Sequence, residues 1–311
     1  MSYAEHRALV VGAAGLDLKV QPRTAVIEPA RSNPGLIRWG WGGVARNIAE
    51  NLARLSVEVQ LITAVGDDRW GHMLLHQLRD LGINTDACIV SDEHPTGSYV
   101  ALSHFDKQPW VAFDDMAAMC EITPGHLYRL RGLVRDADIV CIDANLSARA
   151  LQTLFRLTSE YDIPVCADPT AALLAHRLHP HLPQIVAITP DLDEAEALVG
   201  QKLQEERDIG AAARRLVQSG VDLAIITLGA AGLYYATSAE SGRVSPFPVE
   251  VVDVTGAGDA LTAAVAYGLL EGMSPEETVR LGTAAAAQTI ACYETVCPDL
   301  SPELLYERLV M

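Results

Sequence analysis

The sequence predicts an α/β fold, with a mostly parallel central sheet flanked by helices on both faces and a small β-sheet lid. Three observations predict it. Short Val/Ile/Leu runs alternate with longer stretches of helical period. The apolar runs are continuous, as in strands covered on both faces. Two tracts, Val20–Trp41 and Thr96–Phe113, lose the helical period and carry Trp39, Trp41, Tyr99, Trp110 and Phe113.

Taken in order, the strand candidates are Ala8–Val11, Val59–Val65, Ile139–Ile142, Val165–Ala167, Ile185–Ile188 and Leu223–Thr227. Val44–Leu55 carries apolar residues at Val44, Ile48, Leu52 and Leu55, a helical stripe. The two aromatic tracts read as short strands and turns forming a lid over roughly 17–41 and 96–113. No Gly/Ser linker, low-complexity tract or internal repeat interrupts the chain. Residues 1–311 are therefore expected to form a single α/β domain with the lid as an insertion.

Half of the 311 residues are hydrophobic and 20% are charged, which excludes a wholly disordered chain. The net charge of −17 repels phosphate backbones, so nucleic acid is not an expected partner. Met1–Val20 lacks a basic start followed by a long apolar run, so no signal peptide is expected. No run of 18 apolar residues occurs, so no membrane span is expected. Cysteines stand at 88, 120, 141, 166, 292 and 297 without a CxxC pair, and read as reduced cytosolic thiols buried as small apolar residues.

The strongest chemical signal is Val249-Glu-Val-Val-Asp253-Val-Thr255-Gly256-Ala257-Gly258-Asp259, followed by small residues through Leu270. It reads as a strand, a glycine-rich turn and a helix. The free N–H groups and dipole at such a helix start hold an anion. Thr255 is placed to cap the helix. Asp259 is placed to take a hydroxyl proton beside the anion; the plainer reading is that it only complements the dipole.

Weaker signals accompany it. Thr227-Leu-Gly229-Ala-Ala-Gly232 follows a strand, and a hairpin turn explains it equally well. Gly42 and Gly43 open a helix with Asn47 and Asn51 at the margin of its stripe, where amides read sugar hydroxyls or simply face water. Asp17 follows the first strand, at the sheet end where α/β proteins bind ligands. His72 and His76 lie opposite a leucine face and read as solvated, as do His176, His179 and His181. Arg46, Glu50 and Arg54 read as a solvated ion-pair ladder. Neither a GxxxxGK[ST] loop nor a GxGxxG after the first strand is present.

These segments, in this order, resemble the PfkB, or ribokinase-like, family of carbohydrate and nucleoside kinases. The resemblance runs from Gly12–Asp17 through Gly42–Asn47 and Thr227–Gly232 to Asp253–Asp259, with Val254 where threonine is common. It implies a ribokinase-like fold and an alcohol-accepting phosphotransferase using ATP and Mg2+. It implies Asp259 as general base and Gly256, Ala257 and Gly258 as the anion hole. Thr227, Gly229 and Gly232 would line the ATP site, with Thr283 near the adenine. Asp17, Gly42, Gly43, Asn47 and Asn145 would hold the sugar. Asp253 and Thr255 begin the loop where many relatives hold K+, and Glu194 matches a glutamate that orders Mg2+ through water. Asp191 replaces the asparagine of that Asn-x-x-Glu motif, putting a carboxylate near the nucleotide.

Within the family, Gly42–Leu52, Asp114–Met116, Asp143–Ser147 and Glu294–Ser301 resemble bacterial pseudouridine kinases. Ala171 and Leu174 depart from that subgroup by replacing polar residues. The implied reaction is phosphorylation of a primary hydroxyl on a ribose-containing small molecule, pseudouridine foremost. Ribose, fructose, adenosine and inosine are the alternatives. A sugar-binding regulator without turnover, or a nicotinamide oxidoreductase, would be rivals of another class. The exposed aromatic lid favours a homodimer, and the expected location is cytoplasmic.

Overall fold

The computed structural model describes residues 6–106 and 109–310; expectations touching 1–5, 107–108 and 311 lie outside the described residues. Fourteen strands are described: β1 Arg7–Val11, β2 Gly15–Pro22, β3 Gly35–Gly42, β4 Glu58–Ile62, β5 Ala64–Gly66, β6 Ile89–Ser91, β7 Gly97–Ser103, β8 Pro109–Asp115, β9 Ile139–Asp143, β10 Val165–Asp168, β11 Ala187–Ile188, β12 Leu223–Thr227, β13 Leu233–Ala236 and β14 Ser241–Val244. The α-helices are α1 Val44–Arg54, α2 Arg69–Asp80, α3 Pro124–Arg129, α4 Arg131–Arg135, α5 Ala148–Tyr161, α6 Ala172–Ala175, α7 Leu192–Val199, α8 Glu206–Gln218, α9 Ala257–Leu270, α10 Pro275–Ile290 and α11 Pro302–Val310.

The main sheet has eight strands in the order β14-β13-β12-β11-β10-β9-β1-β4. It is parallel from β12 to β4 and ends in the antiparallel strands β13 and β14. Each face has its own core. One buries Ile48, Leu52, Leu74, Leu261 and Val265, from α1, α2 and α9. The other buries Leu154, Phe155, Leu198 and Leu216, from α5, α7 and α8. Coverage on both sides explains the uninterrupted apolar strands.

The lid is a four-stranded sheet in the order β3-β2-β7-β8. Its first strand starts at Gly15, slightly earlier than the sequence suggests. A separate parallel pair, β5 and β6, also forms, because Val59–Val65 breaks at Thr63 instead of running as one strand.

Three local expectations are corrected. Ile185–Ile188 pairs only over Ala187–Ile188. The segment before the glycine turn, Val249–Val252, is not a strand; after Val244 the chain passes Pro246 and Pro248, which lack the N–H a ladder needs. Thr255 does not cap α9: Gly256 is the N-cap at φ +84°, and the Thr255 N–H bonds Asp253 Oδ1 at 2.9 Å.

The cysteine expectation also changes. Cys292 pairs with Cys297 as a disulfide, the turn after α10 bringing their Cα atoms to 5.7 Å. Cys141 and Cys166 are buried as expected, whereas Cys88 is half-buried and Cys120 exposed. His72 and His76 are exposed and face Asp67 and Asp80. His181 stacks on Phe155 through its ring.

Candidate active site

β1 lies between β9 and β4, so connections leave it toward opposite sides of the sheet. Such a switch point opens a crevice at the carboxyl ends of the strands. The chain ends those strands with carboxylates: Asp143 closes β9 and Asp168 closes β10.

Asp143 is fully buried and accepts N–H bonds from Ala13 at 2.7 Å, Ala45 at 3.2 Å and Asn145 at 2.9 Å. It thus fixes the loop after β1, the start of α1 and the Asn145 loop to one another. Gly42 is needed at the end of β3 because a Cβ there would overlap the Asp17 carboxylate. Burial pushes the Asp17 carboxyl up to about 6, with Lys19 and Arg46 opposing. Gly43 is the N-cap of α1. These placements bring Asp17, Gly42, Gly43 and Asn145 to one side of the crevice.

Asp259 lies in the first turn of α9, directly after Gly258. Its Oδ2 accepts a 2.6 Å hydrogen bond from Asn47 Nδ2. Desolvation, then the nearby Asp168 charge, holds the Asp259 carboxyl well above the usual carboxylate range. Gly256 occupies the left-handed region, and a Cβ would strike the Thr295 carbonyl. Only glycine lets this turn fit under the C-terminal loop. The helix start then presents the N–H groups of Gly256 and Gly258, while the Ala257 N–H reaches back to the Val254 carbonyl at 3.4 Å.

A carboxylate cluster borders this turn. Asp168 accepts from Thr262 Oγ1 at 3.1 Å, and burial pushes it up to about 6. Glu194 is buried and pushed up to about 9, first by desolvation and then by Asp168 and Asp191. Asp191 forms a capping box with Glu194: its Oδ1 accepts the Glu194 N–H at 2.8 Å, and its own N–H donates to Glu194 Oε2 at 2.9 Å. The carboxylate that departs from the family asparagine is therefore the N-cap of α7, a task aspartate performs as well as asparagine.

A cavity of about 650 Å³ adjoins the start of α7, lined by Asp191, Thr227, Leu228, Gly229, Ala231 and Arg243 among others. Gly232 turns the β12–β13 hairpin beside it. Thr283 does not line it. It is buried in α10, and its hydroxyl donates to the Val279 carbonyl at 2.8 Å. Asp253 is held by Lys19 of the lid, Nζ to Oδ2 at 2.7 Å. Burial raises the Asp253 carboxyl, but the bonds from Lys19 and Thr255 outweigh it and hold it below its ordinary value.

Two readings of α1 are overturned. Arg46 and Glu50 are not a solvated ladder: both side chains are 4% exposed and directly paired. The α1 face carrying them packs under the lid and the C-terminal loop, where Arg46 donates to Trp41 O, Asn47 Oδ1 and Thr295 Oγ1. Asn51 is fully buried and donates to the Asn47 carbonyl, so it reads no ligand. The residues missed in sequence are Lys19, Arg46, Asp143, Asp168 and Arg243. Asp143 and Asp168 were visible as carboxylates closing apolar strands; the other three carry no local signal.

Comparison with known proteins assigns the family and the fold. The model of the pfkB family carbohydrate kinases matches residues 6–300, and the chain belongs to that family of phosphotransferases with an alcohol acceptor. It is 34% identical over 294 residues to a pseudouridine kinase of Escherichia coli K12, covering 94% of this chain and 93% of that one. It is 30% identical over 306 residues to a guanosine-inosine kinase of Exiguobacterium acetylicum, covering 96% and 98%. An Arabidopsis thaliana ribokinase structure superposes with a TM-score of 0.86 at 24% identity, covering 99% and 100% of the two chains. The fold is ribokinase-like.

Proposed function

We propose that this chain is an ATP-dependent kinase that phosphorylates the primary hydroxyl of a ribose-containing nucleoside, pseudouridine foremost. One observation carries the reading: Asp259 sits at the N-terminus of α9, bonded to Asn47 of α1. A proton acceptor, an anion-binding turn and the sugar-side loops thereby meet at one point.

The residues present fit ATP and Mg2+. The cavity edged by Thr227, Gly229 and Asp191 supplies room for a nucleotide. Desolvation, then the charges of Asp168 and Asp191, raises the proton affinity of Glu194, and a divalent cation would relieve that repulsion. ATP with Mg2+ would supply the phosphoryl group and offset its charge. The chain's own residues do the rest. Asp17, Gly42, Gly43, Asn47 and Asn145 orient the sugar. Asp259 takes the hydroxyl proton on its carboxylate. The N–H groups of Gly256 and Gly258 hold the transferring group's oxygens. Thr255 and Asp253 would adjoin a K+ ion. The lid, as an insertion in one α/β domain, excludes water. The lid's exposed Ile37, Trp39, Trp110 and Phe113 suit a homodimer joined through this sheet.

The test is an ADP-release panel of pseudouridine, uridine, guanosine, inosine, adenosine, ribose and fructose. Pseudouridine should give the highest kcat/KM. A purine nucleoside in first place would favour a second reading, which Ala171 and Leu174 and the guanosine-inosine kinase relative support. Free ribose or fructose outperforming every nucleoside would overturn the nucleoside assignment. No turnover with any of them would overturn the kinase assignment in favour of a binding protein.

A further inference from the structure

Three side chains of metal-binding character, none of them among the residues placed in the crevice, meet at the base of the lid. His94 lies in the loop entering β7, and Cys120 and Glu121 lie in the 3-10 segment Ala117–Glu121 that follows β8. One ligand atom from each falls within 4.8 Å of the others. Cys120 Sγ is 3.3 Å from His94 Nε2, and His94 Nε2 is 4.0 Å from Glu121 Oε1.

We propose that His94, Cys120 and Glu121 form a binding site for one zinc-like divalent transition-metal ion, separate from the kinase centre. Zinc takes sulfur at about 2.3 Å and nitrogen at about 2.0–2.1 Å, in tetrahedral geometry. A tetrahedral pair of such ligands stands roughly 3.5 Å apart, close to the spacings found. One thiolate, one imidazole and one carboxylate suit zinc or cobalt and do not suit magnesium, which prefers oxygen alone.

The surroundings support the site. Ser91 Oγ donates to Glu121 Oε1 at 3.2 Å and accepts the His94 N–H at 3.0 Å. One hydroxyl thus fixes both the carboxylate and the loop that carries the imidazole, as an outer-shell partner does. His94 and Glu121 are 30% and 31% exposed and Cys120 is exposed, so an ion can enter and water can fill the fourth position. On binding, the Cys120 thiol gives its proton to solvent and the thiolate takes the ion. Because the ligands lie on the two flanks of the β7–β8 hairpin, the ion would clasp the hairpin at its base.

The experiment uses the full-length chain with its Cys292–Cys297 disulfide intact, stripped of metal by chelator and handled without oxygen or thiol reductant, titrated with Co2+ alone and then Zn2+ alone. The expected result is one tightly held ion per chain with a thiolate-to-cobalt charge-transfer band that Zn2+ abolishes. Cys120→Ser should remove the band and weaken Zn2+ binding at least about tenfold; His94→Ala should weaken it similarly. Both positions lie at or near the surface, and thermal melting of the stripped variants checks that they fold. Co2+ bound with no thiolate band, or a band that survives in Cys120→Ser, would overturn the proposal. Either result would place the ion on the acidic nucleotide side or on other cysteines.

Discussion

Asn47 donates from Nδ2 to Asp259 Oδ2 at 2.6 Å, across 212 positions of sequence. The bond ties α1 to the first turn of α9, so the carboxylate is held at the helix start. Behind it, Arg46 donates to Asn47 Oδ1 at 2.8 Å and pairs with the buried Glu50. The amide is therefore held at both ends, which fixes which atom donates to Asp259.

Asp259→Asn keeps size but removes the proton acceptor. We expect kcat to fall at least about 10²-fold, the usual worth of a general base, with nucleotide affinity within a few-fold. Melting temperature should hold or rise, because the variant no longer keeps a desolvated carboxylate in the fold. If Asp259 only complemented the dipole, turnover would persist and about 0.3–1 kcal/mol of stability would be lost. Steady-state rates and melting curves on one preparation separate the two outcomes.

Burial pushes the Asp17 carboxyl from 3.8 up to about 6 in the folded chain. The folded state thus binds the extra proton between these values, so stability falls as pH rises from about 4 to 6 and is flat above. A rise of that size corresponds to about 3 kcal/mol. Asp17→Asn should raise stability at pH 8 by up to that amount, with the gain vanishing below about pH 4. It should also raise the nucleoside KM. A pH-independent stability difference between variant and parent would show that Asp17 does not titrate in this way.

Arg46 is close enough to feel the charges of Glu50, Asp17 and Asp259. Replacing the ion pair together, Arg46→Met with Glu50→Leu, avoids leaving Glu50 buried without Arg46, though it also takes Glu50 from Arg54. The net charge is unchanged, but Arg46 is the member that lowers the Asp17 carboxyl, so the acidic limb of kcat/KM should move to higher pH. A limb that stays in place would make Arg46 a packing residue only.

Asp191→Asn should leave the melting temperature nearly unchanged, since both residues cap helices well, while Asp191→Ala should cost about 1 kcal/mol. Removing the carboxylate beside the cavity should lower the KM for ATP. An unchanged ATP KM across a magnesium titration would show that its charge is already neutralised by the fold.

Potassium should stimulate turnover relative to a bulky organic cation at equal ionic strength, through the loop of Asp253 and Thr255. Lys19 already places an ammonium on Asp253. Lys19→Met should therefore steepen the potassium response. Equal rates in the two salts for both proteins would remove the ion from this loop.

The sequence by itself determined the layered sheet, because both-face burial demands continuous apolar strands, as in Ile139–Ile142 and Leu223–Thr227. It also determined the helix-start turn, because Gly256 ahead of Asp259 states a local backbone need. Local patterns reach no further than a few residues along the chain. Whether Arg46 and Glu50 face water or protein depended on the Thr295 loop folding over α1, 249 residues away from Arg46. The same holds for Lys19 on Asp253, 234 residues apart. Helical periodicity marks which side chains share a face; only the tertiary structure decided what covered that face, and so which charges were buried, paired and placed beside Asp259.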